Sequence, residues 1–333
     1  MTEMLVWLVE TTLIVGILIA LICVVGKPLV AVSNVRWGYL IWAVPALRLL
    51  LSLLPEPLAG APAALLHKAG IPALAGIDLS SVIAPLPKPW VFMVLAIWTL
   101  GFALSGLRLV VQYVQLSRSL MANSSPLSHR DHQQVARCCE QMQVFPVIRC
   151  RQSSAVSGPL LVGLLRSTLV LPLDFFQTSS APVLVIRHEL THLRRRDLWS
   201  NLAAALVRCF FWFVPFGPWV ERRFRDDQEI SCDRAVLLDE ENRHRRGYLH
   251  ALIETTAQHS RCAVGFVGPQ PALKQRARAV VKHQTSFTRD LTGSLLTALL
   301  AIFALTLGFE HSAVALDWIP PLTFPAPLPG PCS

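Results

Sequence analysis

The chain has 333 residues, of which 53% are hydrophobic and only 15% are charged, and its formal net charge is +9. Soluble domains usually carry about 25% charged residues, so this composition, with a mean hydropathy of +0.48, excludes an ordinary soluble protein. We expect an α-helical integral membrane protein that also carries a water-facing domain.

Four apolar stretches are long enough to cross the roughly 30 Å of hydrocarbon in a bilayer. They are residues 4–25, 37–54, 90–111 and 291–309. The first three hold one charged residue each, namely Glu10, Arg48 and Arg108. The first stretch does not resemble a cleavable signal peptide, because Glu3 stands where a basic run is usual and no A-x-A-like site follows.

The basic residues predict the orientation of these stretches. Residues 114–289 contain 24 Lys and Arg against 14 Asp and Glu, whereas the loop 55–89 holds only Lys68 and Lys88. Because Lys and Arg concentrate on the cytoplasmic side of a membrane, we expect residues 114–289 and the turn 26–36 in the cytoplasm. Both chain ends and the loop 55–89 then face outward from the cytoplasmic (inner) membrane.

This orientation divides the chain into four parts. We expect three transmembrane helices in 1–113, a cytoplasmic domain in 114–289, a fourth transmembrane helix in 290–310 and a short proline-rich external tail in 311–333. Six of the eight cysteines fall in the cytoplasmic domain, at 138, 139, 150, 209, 232 and 262. No C-x-x-C occurs, so a zinc ribbon is not expected, and in a reducing compartment the thiols stay free.

Residues 117–128 are predicted to form a linker, and residues 129–142 a helix. Three short β-like runs follow, at 146–149, 159–163 and 167–172. The last run ends at a proline shortly before a helix expected at 183–196. It fits an antiparallel edge strand that accepts an extended peptide substrate, and it fits a buried core strand equally well.

The helix at 183–196 carries the most informative motif of the chain, His188-Glu189-Leu190-Thr191-His192. One turn of helix separates the two histidines, so both imidazoles can bind one Zn²⁺, and Glu189 is then placed as the general base. Arg187 and the run 194–196 flank the motif and place it in water, because charges at bilayer depth are costly. An amphipathic helix with a wet polar face is the alternative.

The next stretch, 198–216, is apolar and 19 residues long, near the lower limit for a span. We expect a core or membrane-surface helix packed beneath the motif helix. A fifth span would place the basic residues 274–289 outside, against the charge rule. A polar helix at 218–241 and basic helices at 243–259 and 271–285 complete the domain.

Catalytic zinc usually has three protein ligands, so a third must come from elsewhere. Glu229 is the best candidate, because Asp233 lies one turn later on the same helix face and could fix the tautomer of a ligand histidine. The alternatives are Asp226, Asp227 and Glu221, or a solvated acidic stretch. Asp197 could brace the next helix or pair with a neighbouring arginine. Tyr248, His244 and His250 are candidate oxyanion donors among which spacing does not choose.

Taken together, these residues resemble the BlaR/MecR type of regulatory membrane metallopeptidase. The similarity is strong over 153–236 and rests on these motifs: Gly163-Leu164-Leu165, residues 169–172, the His188 motif, Arg196-Asp197, Asn201, Phe211-Trp212-Phe213-Val214-Pro215, Trp219, and Glu229-Ile230-Ser231-Cys232-Asp233. The resemblance implies a mainly α, gluzincin-like α+β fold. It also implies zinc ligands His188, His192 and Glu229, with Glu189 as base and Asp233 supporting a ligand.

The family transmits an external signal to a cytoplasmic protease that acts on a transcriptional repressor and often cleaves itself. Known members carry an external penicillin-binding domain, whereas this sequence has only the proline-rich tail and no Ser-x-x-Lys motif, so β-lactam sensing by acylation is not expected. Val214 also stands where asparagine is common in the family.

We therefore predict a zinc metalloendopeptidase in signal transduction, with a protein substrate and the bilayer as partners. A membrane quality-control protease and a non-catalytic receptor or scaffold are the alternatives, and a homo-oligomer is left open. The excess of Lys and Arg would suit binding to nucleic acid or anionic lipid. The concentration of basic residues on the cytoplasmic side already accounts for this excess, so no direct nucleic-acid partner is expected.

Overall fold

The computed structural model describes residues 1–53, 79–145, 148–237, 242–259, 276–277, 280 and 287–306. Within them the helices are α1 (Thr2–Val32), α2 (Val35–Leu40), α3 (Ala43–Ser52), α4 (Ser80–Ile83), α5 (Lys88–Ala122), α6 (His129–Gln141), α7 (Phe175–Thr178), α8 (Pro182–Arg194), α9 (Asp197–Phe210), α10 (Gly217–Val236), α11 (Asn242–His259) and α12 (Phe287–Thr306). The strands are β1 (Ser124–Pro126), β2 (Arg149–Ser153), β3 (Leu160–Val162) and β4 (Thr168–Pro172).

Three of the described helices, α1, α5 and α12, are long and apolar enough to cross a membrane. They include most of the predicted spans 4–25, 90–111 and 291–309. Large apolar side chains such as Trp90, Phe92 and Leu100 are exposed along α5, as contact with lipid requires. At a rise of about 1.5 Å per residue, α5 is roughly 50 Å long, so it extends beyond the hydrocarbon layer.

The predicted span 37–54 is not a single helix in the described part, because the chain bends between α2 and α3. Pro45 lies in the first turn of α3 and has no N–H to donate to the carbonyl of Ile41. That carbonyl instead accepts a hydrogen bond from the Val44 amide at 3.1 Å, which closes a tight turn. Neither short helix could cross a bilayer, and the arrangement with four spans stays a prediction.

The four strands form one sheet in the order β1-β2-β4-β3, parallel between β2 and β4 and antiparallel elsewhere. The edge-strand interpretation of 167–172 is therefore wrong, because β4 lies inside the sheet. Leu169 and Leu171 pack toward the α8 core, whereas Val170 on the opposite face packs with Leu120 of α5. A continuous apolar run suits a strand that is buried on both faces.

The predicted linker 117–128 is also more ordered than expected. Helix α5 continues to Ala122, and residues 124–126 then form β1, which pairs with β2. The Arg151 side chain donates to both the hydroxyl and the carbonyl oxygen of Ser124 at 2.6 Å, which fixes this edge of the sheet. The long α5 helix thus leads directly into the sheet.

Helices α9 and α10 form a hairpin that lies along the apolar helices. Phe210, at the end of α9, packs edge-on against Trp7 near the start of α1, with ring centroids 5.9 Å apart. Farther along the hairpin, near the middle of α10, Phe224 packs against Trp42. The stretch 198–216 is therefore a helix and loop packed on α1 and α5, and it also contacts α8 as expected.

The loop after α9 is joined to α5 by a pair of tryptophans. The Trp98 indole donates to the carbonyl of Phe210 at 3.3 Å, and the Trp212 indole donates to the carbonyl of Trp98 at 3.2 Å. Gly101 permits this approach, because a Cβ at that position would lie 2.1 Å from the Trp212 ring.

The predicted helices 129–142, 183–196, 218–241 and 243–259 correspond to α6, α8, α10 and α11, with ends that differ by a few residues. The predictions for most of the loop 55–89, for residues 146–147, for most of 271–285 and for the tail lie outside the described residues.

Candidate metal centre

Helix α8 presents its two histidines on one face. Pro182 starts the helix at a position where its missing N–H has no cost, and Ile186 and Leu190 bury the opposite face in the sheet core. The rings of His188 and His192 are 4.7 Å apart between centroids, and their Nε2 atoms are 3.0 Å apart. The Nε2 atoms therefore point to a common place.

A carboxylate lies behind the second histidine. Asp197 Oδ2 is 2.7 Å from His192 Nδ1, and Asp197 is only 1% exposed. The chain reaches this position because Arg196 adopts a left-handed conformation with φ 59°, which turns α8 into α9 within two residues. The carboxylate keeps the ring proton on Nδ1 and leaves the Nε2 electron pair free.

The first histidine is supported by a buried network from other helices. His188 Nδ1 is 2.8 Å from the Tyr248 hydroxyl and 3.2 Å from Asp233 Oδ1. Tyr248 donates to Asp233 at 2.6 Å, so its oxygen accepts the proton of His188 Nδ1. Arg276 donates two further hydrogen bonds of 2.7 Å to Asp233. Burial and the Asp233 charge raise the pKa of Tyr248 well above its usual value, so it remains a donor.

The carboxylate of Glu229 faces both Nε2 atoms. It lies 3.2 Å from His188 Nε2 and 3.5 Å from His192 Nε2, and its other neighbour is Arg276 at 3.3 Å. Burial alone would raise the pKa of Glu229, but the charge of Arg276, together with the contacts of the two histidines, outweighs it and holds the pKa well below its usual range. Glu229 is therefore an anion, and its side chain is still 23% exposed.

Cys232 is a second candidate donor on α10 that the sequence reasoning missed. Its Sγ and one nitrogen from each of His188 and His192 all lie within 4.8 Å of one another. The thiol is fully buried and donates to the carbonyl of His188 at 3.4 Å. Burial would raise the pKa of this thiol, but the two histidines outweigh it and lower the pKa.

This donor set fits a zinc ion. With the Nδ1 atoms of both rings bound to acceptors, two Nε2 electron pairs and the Glu229 carboxylate converge within 3.5 Å. Such groups repel one another unless a proton or a metal cation lies among them. Imidazole nitrogens and a carboxylate are ligands that catalytic zinc takes, and the partly exposed Glu229 leaves one side accessible.

Glu189 lies beside this cluster, on the same helix as the histidines. Burial raises the pKa of its carboxyl above the usual value, and the charges of His188 and His192 offset this only in part. A carboxylate of raised pKa next to a metal centre can accept a proton and release it again.

The structure places the other sequence candidates elsewhere. Glu221 is paired with Arg208 and Arg225, each at 2.9 Å. The Asp227 carboxylate accepts a hydrogen bond from the Trp42 indole, and burial raises its pKa to about 6. Tyr248 lies behind His188, on the side away from Nε2.

Two other candidate oxyanion donors, His244 and His250, are exposed on α11. Sequence reasoning gave no role to Arg276 and Tyr39, because their partners are 43 and 158 residues away along the chain. The sequence offered one signal for Asp197, its closeness to the motif. It follows His192 by five residues, across a helix end.

Comparison with protein-family models gives one family. The model described as BlaR1 peptidase M56 matches residues 6–280, which include most of α1, the whole sheet and every residue of the cluster described above.

Curated relatives with regulatory names are also similar. The regulatory protein BlaR1 of Bacillus licheniformis is 25% identical over 220 residues, which are 64% of this chain and 36% of that protein. The methicillin resistance mecR1 proteins of Staphylococcus aureus and Staphylococcus epidermidis are 29% identical over 150 residues, 44% of this chain and 25% of each relative. The chain thus spans well under half the length of these relatives.

Proposed function

The chain belongs to the BlaR1 peptidase M56 family, and on this premise we propose that it is a membrane zinc endopeptidase whose metal is held by His188, His192 and Glu229. One observation carries the proposal: the two Nε2 atoms converge on the Glu229 carboxylate, and each imidazole ring has a second carboxylate behind it. The fold assigned to the domain is gluzincin-like, a motif helix completed by a glutamate from a second helix.

The proposed mechanism divides the chemistry among named groups. Bound zinc supplies Lewis acidity and lowers the pKa of water to about 7. Glu189, which lies beside the cluster on the same helix, takes the proton from the attacking water and returns it to the leaving amine. Asp197 and Asp233 hold the two imidazoles with Nε2 facing inward, and Arg276 keeps Glu229 ionised.

The proposed arrangement in the membrane follows the basic residues. Residues 1–113 form the N-terminal membrane part, 114–289 the cytoplasmic protease domain, 290–310 the last span and 311–333 an external tail. Four spans and this orientation in the cytoplasmic membrane rest on the positive-inside rule, and the three long apolar helices support them.

The proposed role is signal transduction by proteolysis. Two relatives are named as a regulatory protein and a methicillin resistance protein. By analogy, the substrate of this chain is a cytoplasmic protein, either a transcriptional repressor or the chain itself.

The test compares the wild type, Glu189→Ala and a control in native membranes. Glu140 is exposed on α6, away from the cluster, so Glu140→Ala is the matched control. Zinc content is quantified, and the membrane and cytosolic proteins are scanned for new N-termini. We expect about one zinc per chain in all three and cleavage products only with the wild type and the control.

The outcomes separate the function classes. One cleaved repressor supports signalling, whereas many cleaved membrane proteins would indicate quality control. Absence of zinc from the wild type, or identical N-termini with and without Glu189, would favour a receptor or scaffold instead.

A further inference from the structure

Helix α2 reaches the metal centre through one side chain. The Tyr39 hydroxyl donates to Asp197 Oδ1 at 3.0 Å, and Asp197 Oδ2 is 2.7 Å from His192 Nδ1. We infer that Tyr39 is a positioning residue of the metal centre, through which α2 controls the orientation of His192 and hence the affinity for the metal. This inference rests on the proposed function and adds a route for its regulation.

The Tyr39 hydroxyl joins the two helices that complete the centre. Besides donating to Asp197 on α9, it accepts a hydrogen bond from Gln228 Nε2 on α10 at 3.1 Å and lies 2.9 Å from the Ser200 hydroxyl. Gln228 directly precedes Glu229. The phenol oxygen is thus hydrogen-bonded to the residue before Glu229, the proposed third ligand. It is also hydrogen-bonded to Asp197, the carboxylate that holds the second ligand, His192.

The ring of Tyr39 is held as firmly as its hydroxyl. The Arg195 guanidinium lies 4.6 Å from the ring centroid, in the position of a cation–π contact, and Phe224 packs on the ring at 5.7 Å. A ring fixed on both sides aims its hydroxyl in one direction. The hydrogen bond to Asp197 therefore follows the position of α2.

A second contact ties the turn after α2 to the helix of Glu229. The Trp42 indole donates to Asp227 Oδ2 at 3.0 Å, and Arg223 is 3.2 Å from the same oxygen. Trp42 also packs with Phe224 and with Ile22 of α1. The segment that connects α1 to α3 is thus bonded to both helices of the hairpin α9–α10.

Helix α2 in turn has little freedom relative to α1. A Cβ on Gly38 would lie 2.5 Å from Val30 Cγ2, so the two helices are already in close contact. A displacement of α1 would therefore move α2, and with it the Tyr39 hydroxyl. Two hydrogen bonds in series would convert this displacement into rotation of the His192 ring.

The test measures metal affinity rather than proteolysis. The full chain in lipid nanodiscs is titrated with zinc in competition with a chromophoric chelator, and the visible spectrum of the cobalt-substituted protein reports the ligand geometry. Tyr39→Phe removes the hydroxyl but keeps the ring. We expect a loss of zinc affinity of about 10-fold, the lower end for groups that orient a metal ligand, and a changed cobalt spectrum.

Trp37→Phe is the matched control on the same helix. The Trp37 indole donates to Asp290 on α12 at 3.3 Å, so this change also removes one hydrogen bond to a carboxylate, but away from the centre. The control should bind zinc as the wild type does. A double-mutant cycle with Asp197→Ala adds a second criterion, because Tyr39→Phe should have no further effect once the acceptor of its hydrogen bond is gone.

Each result decides the matter. A Tyr39→Phe chain with wild-type affinity and spectrum, an equal loss in Trp37→Phe, or an undiminished effect in the Asp197→Ala background would each overturn the inference while leaving the proposed function intact. A wild-type chain that binds no zinc would overturn both.

Discussion

Arg276 holds Asp233 with two parallel hydrogen bonds, from Nε to Oδ2 and from Nη2 to Oδ1, both 2.7 Å long. The Asp233 side chain is 0% exposed and that of Arg276 is 12% exposed, so this ion pair is sheltered from solvent screening. Asp233 is also the carboxylate behind His188, so the guanidinium supports this side of the candidate centre through Asp233, and it contacts Glu229 as well.

The first prediction concerns this pair. Arg276→Ala leaves the Asp233 carboxylate buried without its charge partner, and breaking a buried pair in this way costs about 3–5 kcal/mol. We expect the free energy of unfolding to fall by roughly that amount in denaturant titrations. Arg194→Ala, at an exposed position on α8, is the control and should have little effect. If Arg276→Ala were as stable as Arg194→Ala, the ion pair between Arg276 and Asp233 would not be maintained in the folded protein.

The second prediction decides between Glu229 and Cys232 as the third ligand. Because the Glu229 carboxylate faces both Nε2 atoms, Glu229→Ala should weaken zinc binding by more than about 100-fold, beyond the effect of removing an orienting partner. Cys232→Ser should weaken it by less than about 10-fold. Equilibrium zinc titration of the two variants gives both numbers, and the reverse order would make the thiolate the ligand.

The third prediction tests the contact between α5 and the loop after α9. In Gly101→Ala the new methyl group would meet the Trp212 ring at 2.1 Å, and overpacking of this kind costs about 1–3 kcal/mol. We expect a lower midpoint of thermal unfolding in detergent. Gly106→Ala is the matched control on the same helix, since no atom of the described residues lies within 4 Å of a Cβ added there. If the midpoint of thermal unfolding fell equally in both variants, the contact with the loop would not be the cause.

The fourth prediction moves α2 without touching Tyr39. The methyl group of Gly38→Ala would press on Val30 and push α2 away from α1, so the Tyr39 hydroxyl should shift from Asp197. Zinc affinity should fall severalfold, by less than the roughly 10-fold to 100-fold loss for an orienting group. Gly16→Ala on α1, where an added Cβ meets no atom within 4 Å in the described part of the chain, should leave the affinity unchanged.

Local signals in the sequence predicted many of the elements. The apolar runs of α1, α5 and α12, the helix of the His188 motif and the strands β3 and β4 were found, because each is encoded by residues adjacent in the chain. The interruption between α2 and α3 was not predicted, because a hydropathy pattern does not show that Pro45 lacks a backbone N–H. Whether 167–172 forms an edge strand or a buried core strand stayed open in the sequence, because an apolar run fits both and only the neighbouring elements decide.

The residues of the candidate centre also fall into two groups, those encoded by local spacing and those that come from distant segments. His188, Glu189 and His192 follow from spacing within one helix, and Glu229 with Asp233 from spacing within another. The groups behind the ligands come from distant segments, so no window of sequence contains both Tyr39 and Asp197, or both Asp233 and Arg276. Cys232 was set aside with the other thiols, because nothing local distinguishes a cysteine near two imidazoles from one in a core.

The hairpin α9–α10 also fixes how far the metal centre stands from lipid. Phe210 and Trp212 pack against α1 and α5 at the end of the hairpin remote from Asp197, so the two histidines are held close to the apolar helices and are not carried on a flexible tether. For the peptidase proposed above, a substrate would then have to approach the membrane surface. A substrate that is itself attached to the membrane would reach the site by lateral diffusion in the plane.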